Sequence, residues 1–126
     1  VPGGFGAAKN LSDFAFKGAD AEVHPEVQRI LQEMLAAKKP VGAICIAPAT
    51  LVRAVSDRNP AVTIGNDVGT AAAIEAMGGR HHDCPVYDIV ADDANRIVTT
   101  PAYMIGPGIA DVAVGIEKLV ERIVKM

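Results

Sequence analysis

Apolar residues recur at helical spacing in several stretches of the chain, and this pattern predicts four helices. The clearest is at 25–38, where apolar side chains occupy positions i, i+3, i+4, i+7 and i+8: Val27, Ile30, Leu31, Met34 and Leu35. Further helices are expected at 48–56, at 70–77 and from about 107 onwards. The last of them has an eight-residue apolar face that requires a broad sheet beneath it: Ile109, Val112, Ala113, Ile116, Leu119, Val120, Ile123 and Val124.

Short apolar runs between these helices predict strands. Two of them, at 41–45 and 61–64, are unbroken, as expected for strands buried between layers of helices. Two more, at 86–91 and 96–100, are joined by the turn residues 92–95 and are expected to form a peripheral hairpin. The alternation of strands and helices indicates an α/β fold with a mainly parallel sheet.

Composition narrows the range of functions. The 126 residues are enough for one domain, and 50% of them are hydrophobic, which favours a packed core over disorder. The formal net charge is −3, which argues against binding to nucleic acid through phosphate contacts. The longest apolar stretch, 41–49, is about half the roughly 20 residues of a membrane helix, so no membrane association is expected. Two cysteines are too few for a disulfide framework, and we expect a reduced, cytoplasmic protein.

The beginning of the chain indicates that residues 1–126 are part of a longer protein. The sequence opens Val1-Pro2-Gly3-Gly4, as though the end of a strand leads into a glycine loop. With at most four strands visible, N-terminal strands of the sheet are expected to be missing. The alternative is a processed mature terminus.

Cys45 is the strongest candidate for chemistry. It ends a predicted strand, has alanine at both second neighbours, and is followed by Pro48 at the start of a helix. This arrangement is typical of a nucleophile elbow, although alanines replace its usual glycines. The helix N-terminus would stabilise a thiolate and leave backbone N–H groups free for an oxyanion. The alternative is that Cys45 is a small core residue.

Two other features are candidates of lower specificity. The glycine loop at 3–6 could supply a second oxyanion donor opposite Cys45, or it could be an ordinary turn. His81 or His82 could serve as a proton relay if either lies near Cys45, or both could be polar residues at the start of a strand. Cys84 and these histidines are too close in sequence to converge on one tetrahedral zinc ion, so no metal is expected.

Four segments together resemble a known family. Residues 1–11, 45–49, 84–90 and 97–104 are similar to the ElbB-like proteins of the ThiJ/PfpI branch of the class I glutamine amidotransferase-like superfamily. The resemblance runs through essentially the whole chain in the right order. It implies a single domain over 1–126, the C-terminal portion of a flavodoxin-like three-layer sandwich.

The resemblance also implies a function. ElbB-like proteins are described as glyoxalases that convert glyoxal to glycolate without a cofactor, and some of that activity could be protein deglycation. The nucleophile would match Cys45, and the oxyanion hole the backbone N–H groups of Gly4 and Ile46. The family's acidic catalytic residue matches no residue of this chain. Many superfamily members have histidine where Ile46 stands, which puts Cys–His dyad chemistry in doubt.

The expected function is therefore conversion of a small dicarbonyl to a hydroxy acid by the Cys45 thiolate, with no cofactor. A homodimer is one option for its assembly. The rival hypothesis is a non-enzymatic, redox-responsive or partner-binding protein in which Cys45 is oxidised rather than turned over. A nucleotide-binding module is disfavoured, because no phosphate motif is complete.

Overall fold

The computed structural model describes all 126 residues. The six α-helices are α1 (Phe5–Asn10), α2 (Phe14–Lys17), α3 (Pro25–Ala36), α4 (Ala47–Ala54), α5 (Val68–Ala76) and α6 (Ile109–Lys125). The five strands are β1 (Val41–Ile44), β2 (Ala61–Val62), β3 (Arg80–His81), β4 (Val90–Asp92) and β5 (Ile97–Thr100). Single 3₁₀ turns lie at Gly18–Asp20, Ser56–Arg58 and Ala102–Met104.

The strands form a three-stranded sheet in the order β1-β5-β4 and a two-stranded sheet of β2 and β3. β1 is parallel to β5, with Val41 opposite Ile97, and β2 is parallel to β3. The β4–β5 pair is antiparallel. Helices α3 and α4 pack on β1 with the main core, and α6 packs on β1 and β5. The α/β fold with a mainly parallel sheet is thereby confirmed.

Side chains connect β2 to the larger sheet. The buried carboxylate of Asp92 accepts a hydrogen bond from the N–H of Ala61 at 2.9 Å. The hydroxyl of Thr99 accepts one from the N–H of Thr63, also at 2.9 Å. These bonds compensate for burying polar groups in the core.

β4 and β5 form the predicted hairpin, but the prediction that this pair is peripheral was wrong. β5 is the central strand of its sheet, and all four of its residues are buried. Two of its four residues, Thr99 and Thr100, are polar, so the sequence does not indicate that β5 is buried at the centre of the sheet. The predicted strands at 61–64 and 86–91 are also shorter than expected, because only 61–62 and 90–92 pair with neighbours.

The apolar face of α6 is covered only in part. Val112 and Leu119 are buried, whereas Ile109 and Val124 are 76% and 79% exposed. The close contact with β1 depends on a glycine: a Cβ built on Gly42 would lie 2.5 Å from Ile123 Cδ1. α6 therefore contacts the sheet along a narrower stripe than its sequence predicts.

Candidate active site

Cys45 occupies a sharp turn between β1 and α4. Its φ of 61° lies in the left-handed region, which a residue with a Cβ adopts only at an energetic cost. Ile46 caps α4, which begins at the next residue. The side chain is half-buried, and the backbone N–H of Cys45 donates to the carbonyl of Thr100 at 3.1 Å. This is the strand–turn–helix geometry of a nucleophile elbow.

The glycine loop lies against this turn because Val1 runs beside β1. The amino group of Val1 donates to the carbonyl of Gly42 at 2.6 Å, and the N–H of Ile44 donates to the carbonyl of Val1 at 3.2 Å. Gly3 consequently contacts Cys45: a Cβ built on Gly3 would collide with Cys45 Cβ and lie 3.3 Å from its Sγ. No side chain fits at this position.

The two predicted oxyanion donors lie in these two turns. Gly4, at a φ of 98°, caps α1, and Ile46 caps α4. Their carbonyls accept from Ala8 and Ala49, but their own N–H groups donate to no protein atom. Unused N–H groups at helix starts are suited to anions. The catalytic roles of Cys45, Gly4 and Ile46 stay predictions.

A small apolar cluster forms the floor beneath Cys45. Val86, Ala102 and Val112 are buried together, and Cys45 and Ile105 pack against them. Ala102 has a φ of 47°, so a second left-handed residue with a Cβ lies beside the candidate nucleophile. Sequence reasoning missed Thr100, Val86 and Ala102 as neighbours of Cys45, because only the fold brings them there.

The two histidines predicted as a possible proton relay do not contact Cys45 through a hydrogen bond. His81 lies in β3, and its Nε2 accepts a hydrogen bond from the N–H of Ile64 at 3.2 Å. Its Nδ1 lies 3.7 Å from Asp83 Oδ1. Burial lowers the pKa of His81, although Asp83 opposes this shift. His82 is exposed, and neither histidine hydrogen-bonds to Cys45.

Cys84 is in a different environment from Cys45. It is buried, and its thiol lies 3.5 Å from the carbonyl of Pro85. Burial, with a smaller contribution from Asp88, raises the pKa of Cys84 to about 11. Such a thiol stays protonated and unreactive at neutral pH.

Two further kinds of feature are absent from the whole chain. No three His, Cys, Asp or Glu side chains come together as a metal site. No helix has the length and apolarity to cross a membrane.

The chain is similar to curated proteins over nearly its whole length. It is 39% identical to the mitochondrial ES1 protein homolog of Rattus norvegicus, covering 99% of this chain and 50% of that protein. It is 40% identical to the mitochondrial glutamine amidotransferase-like class 1 domain-containing protein 3 of Homo sapiens, covering 99% of this chain and 49% of the relative. The chain thus spans about half the length of these relatives. No protein-family model matches it.

A solved structure shares the fold. The Ehrlichia chaffeensis isoprenoid biosynthesis protein with an amidotransferase-like domain is 39% identical and superposes with a TM-score of 0.85, over 98% of this chain and 56% of that one. These relatives support the superfamily in which sequence analysis placed the chain, and they do not select its ElbB-like branch. By sequence and by fold, the chain is related to the class I glutamine amidotransferase-like proteins.

Proposed function

We propose that this chain carries the cysteine nucleophile of a cofactor-independent glyoxalase, which converts glyoxal-type dicarbonyls to hydroxy acids. One observation carries the proposal: Cys45 lies at a left-handed turn next to Ile46 and against the glycine loop, and the N–H groups of Gly4 and Ile46 donate to no protein atom. A nucleophile beside unused donors suits addition to a carbonyl, where negative charge develops on oxygen.

In the first step, the Cys45 thiolate adds to one aldehyde carbon. A C–S bond forms, and the π electrons of the carbonyl move to its oxygen. The N–H groups of Gly4 and Ile46 stabilise this alkoxide, which then takes up a proton to give a hemithioacetal. Losing one donor of this kind typically raises the barrier by about 3–4 kcal/mol.

The second step moves a proton between the two carbons. A base removes the proton from the hemithioacetal carbon, and protonation of the neighbouring carbon gives a 2-hydroxy thioester. Water hydrolyses the thioester, releasing the hydroxy acid and regenerating the thiol. The sequence resemblance implies an acidic residue as the base, and no residue of this chain matches it. His81 is a poor substitute because its Nε2 already accepts from Ile64.

The relatives' names suggest other roles, namely amidotransferase-like and isoprenoid biosynthesis proteins. Glutaminase chemistry is disfavoured here because Ile46 follows the nucleophile instead of histidine. The rival proposal is a redox-responsive protein in which the same half-buried thiol, that of Cys45, is oxidised. We propose a cytoplasmic location for this protein, whereas the names of two relatives include "mitochondrial".

The test compares variants of the protein. Cys45→Ala should reduce glyoxal consumption to the uncatalysed background, while Cys84→Ala retains saturable turnover. Circular dichroism of both variants checks the fold. Undiminished turnover in Cys45→Ala would exclude the covalent mechanism. Peroxide-dependent modification of Cys45 in a protein without turnover would favour the rival.

A further inference from the structure

A cleft lined by positively charged side chains lies at the amino ends of β1 and β5. Its volume is about 370 Å³. It is lined by Leu35, Ala36, Lys38, Arg58, Ala94, Asn95 and Arg96. Three of these side chains are cationic and none is acidic, in a chain whose formal net charge is −3. The cleft is therefore a local concentration of positive charge.

No side-chain carboxylate forms an ion pair with any of the three cations. Lys38, Arg58 and Arg96 take part in none of the ion pairs of the structure, which engage lysines and arginines elsewhere. The Arg96 guanidinium is engaged in part, because its Nη1 donates a hydrogen bond to the main-chain oxygen of Met126, the last residue of the sequence, at 3.0 Å. The remaining N–H groups of these side chains are free to bind an anion.

The backbone supports the same interpretation. Lys38 and Arg96 have φ values of 59° and 57°, in the left-handed region that glycine adopts most easily. Lys38 ends the turn after α3, and Arg96 ends the turn between β4 and β5. Glycine or asparagine would satisfy both turns at lower cost. Strained backbone positions cluster at ligand sites, so two of them carrying cationic side chains around one cleft support a binding role.

We propose that this cleft binds the phosphate group of a small anionic ligand. Two guanidinium groups and one ammonium group are the donors that suit phosphate oxygens. The volume lies within the roughly 300–1,000 Å³ typical of small-molecule pockets, and the negative net charge argues against a long polyanion. Lys38 precedes β1 and Cys45 follows it, so the four-residue strand separates the two sites by roughly 13 Å.

The experiment measures binding of inorganic phosphate and of glycerol phosphate to the purified protein by calorimetry at low ionic strength. Chloride at matched ionic strength is the reference. The site predicts saturable binding of at least one probe, and the stronger one indicates whether free phosphate or a phosphomonoester is preferred. Binding no different from chloride would overturn the proposal.

Matched variants test the assignment of residues. Lys38→Gly should weaken binding about tenfold through loss of charge-assisted hydrogen bonds, while thermal stability is unchanged or higher. Arg58→Gln should have a similar effect. Lys39→Gln removes a neighbouring exposed charge outside the cleft and should leave affinity unchanged. Equal losses in the Lys38 and Lys39 variants would indicate diffuse attraction and overturn the site; Lys38→Asn replaces the glycine variant if that fails to fold.

Discussion

Gly3 lies directly against the side chain of Cys45, close enough that a Cβ on Gly3 would overlap Cys45 Cβ and stand 3.3 Å from its Sγ. Two residues 42 positions apart in the sequence are thus packed together without room for a methyl group. The contact follows from the backbone bonds between Val1 and β1, which fix the register of the glycine loop. The position of Cys45 consequently depends on glycine at position 3, which has no side chain.

Replacing Gly3 by alanine should displace this turn. Gly3→Ala is expected to lower stability by roughly 1–3 kcal/mol, as overpacking usually does, and to change the rate at which iodoacetamide modifies Cys45. Gly6→Ala is the matched control, since a Cβ there meets no atom within 4 Å. Thermal unfolding and peptide mapping measure both effects. Identical behaviour of the two variants would show that the loop does not pack on Cys45.

The two thiols should differ strongly in reactivity. With a pKa of about 11, Cys84 is ionised in only about one molecule in a thousand at pH 8. Half-buried Cys45 should therefore react first with limiting iodoacetamide, and labelling of Cys84 should rise only as the pH approaches 11. Peptide mapping across this pH range decides the matter. Faster labelling of Cys84 at pH 8 would contradict the assigned environments.

The local part of this site could be predicted from the sequence. Cys45 was singled out because an apolar run, small flanking residues and Pro48 lie within a few positions of it. The surrounding contacts could not be predicted, because Thr100 and Ala102 reach Cys45 through the pairing of β1 with β5. Helices α1 and α2, of six and four residues, were missed because they are too short to show a helical period.

The hydrogen bond from Ile64 to His81 should make stability depend on pH. The folded state favours the neutral ring, since burial holds the pKa of His81 below its ordinary 6.5. Its contribution to stability is therefore present above pH 6.5 and is lost as the pH falls through the lowered value. His81→Gln keeps an acceptor for the Ile64 N–H and should reduce this acid-side loss. Urea unfolding from pH 5 to 8 measures the effect.

The exposed neighbour provides the control for that experiment. His82→Gln should leave the pH dependence as it is in the unmodified protein, because the ring of His82 accepts no hydrogen bond from the protein. If the His81 and His82 variants give the same pH dependence, the bond to Ile64 does not govern the titration.

The central position of β5 was hidden by its polar residues. A strand that ends in two threonines is expected at the edge of a sheet, yet Thr99 and Thr100 are both fully buried. Their hydroxyls are satisfied by backbone groups: Thr99 accepts from Thr63, and Thr100 donates to the carbonyl of Asp88 at 2.7 Å. Such long-range partners leave no periodic signal in the sequence, so the hydrophobic pattern identified the strand but not its place in the sheet.

The seating of α6 on the sheet should depend on Gly115. A Cβ at this position would collide with the carbonyl oxygen of Val86 and lie 2.7 Å from Thr100 Oγ1, both atoms of buried residues that have little freedom to move. Gly115→Ala should therefore destabilise the fold by roughly 1–3 kcal/mol, despite the higher helix propensity of alanine. Gly69→Ala, in α5, is the control, because its Cβ would approach only Asp67 Oδ2, at 3.8 Å. That variant should gain up to about 1 kcal/mol. Urea unfolding of both proteins provides the comparison, and a Gly115→Ala protein as stable as the Gly69→Ala protein would mean that α6 does not approach Val86 this closely.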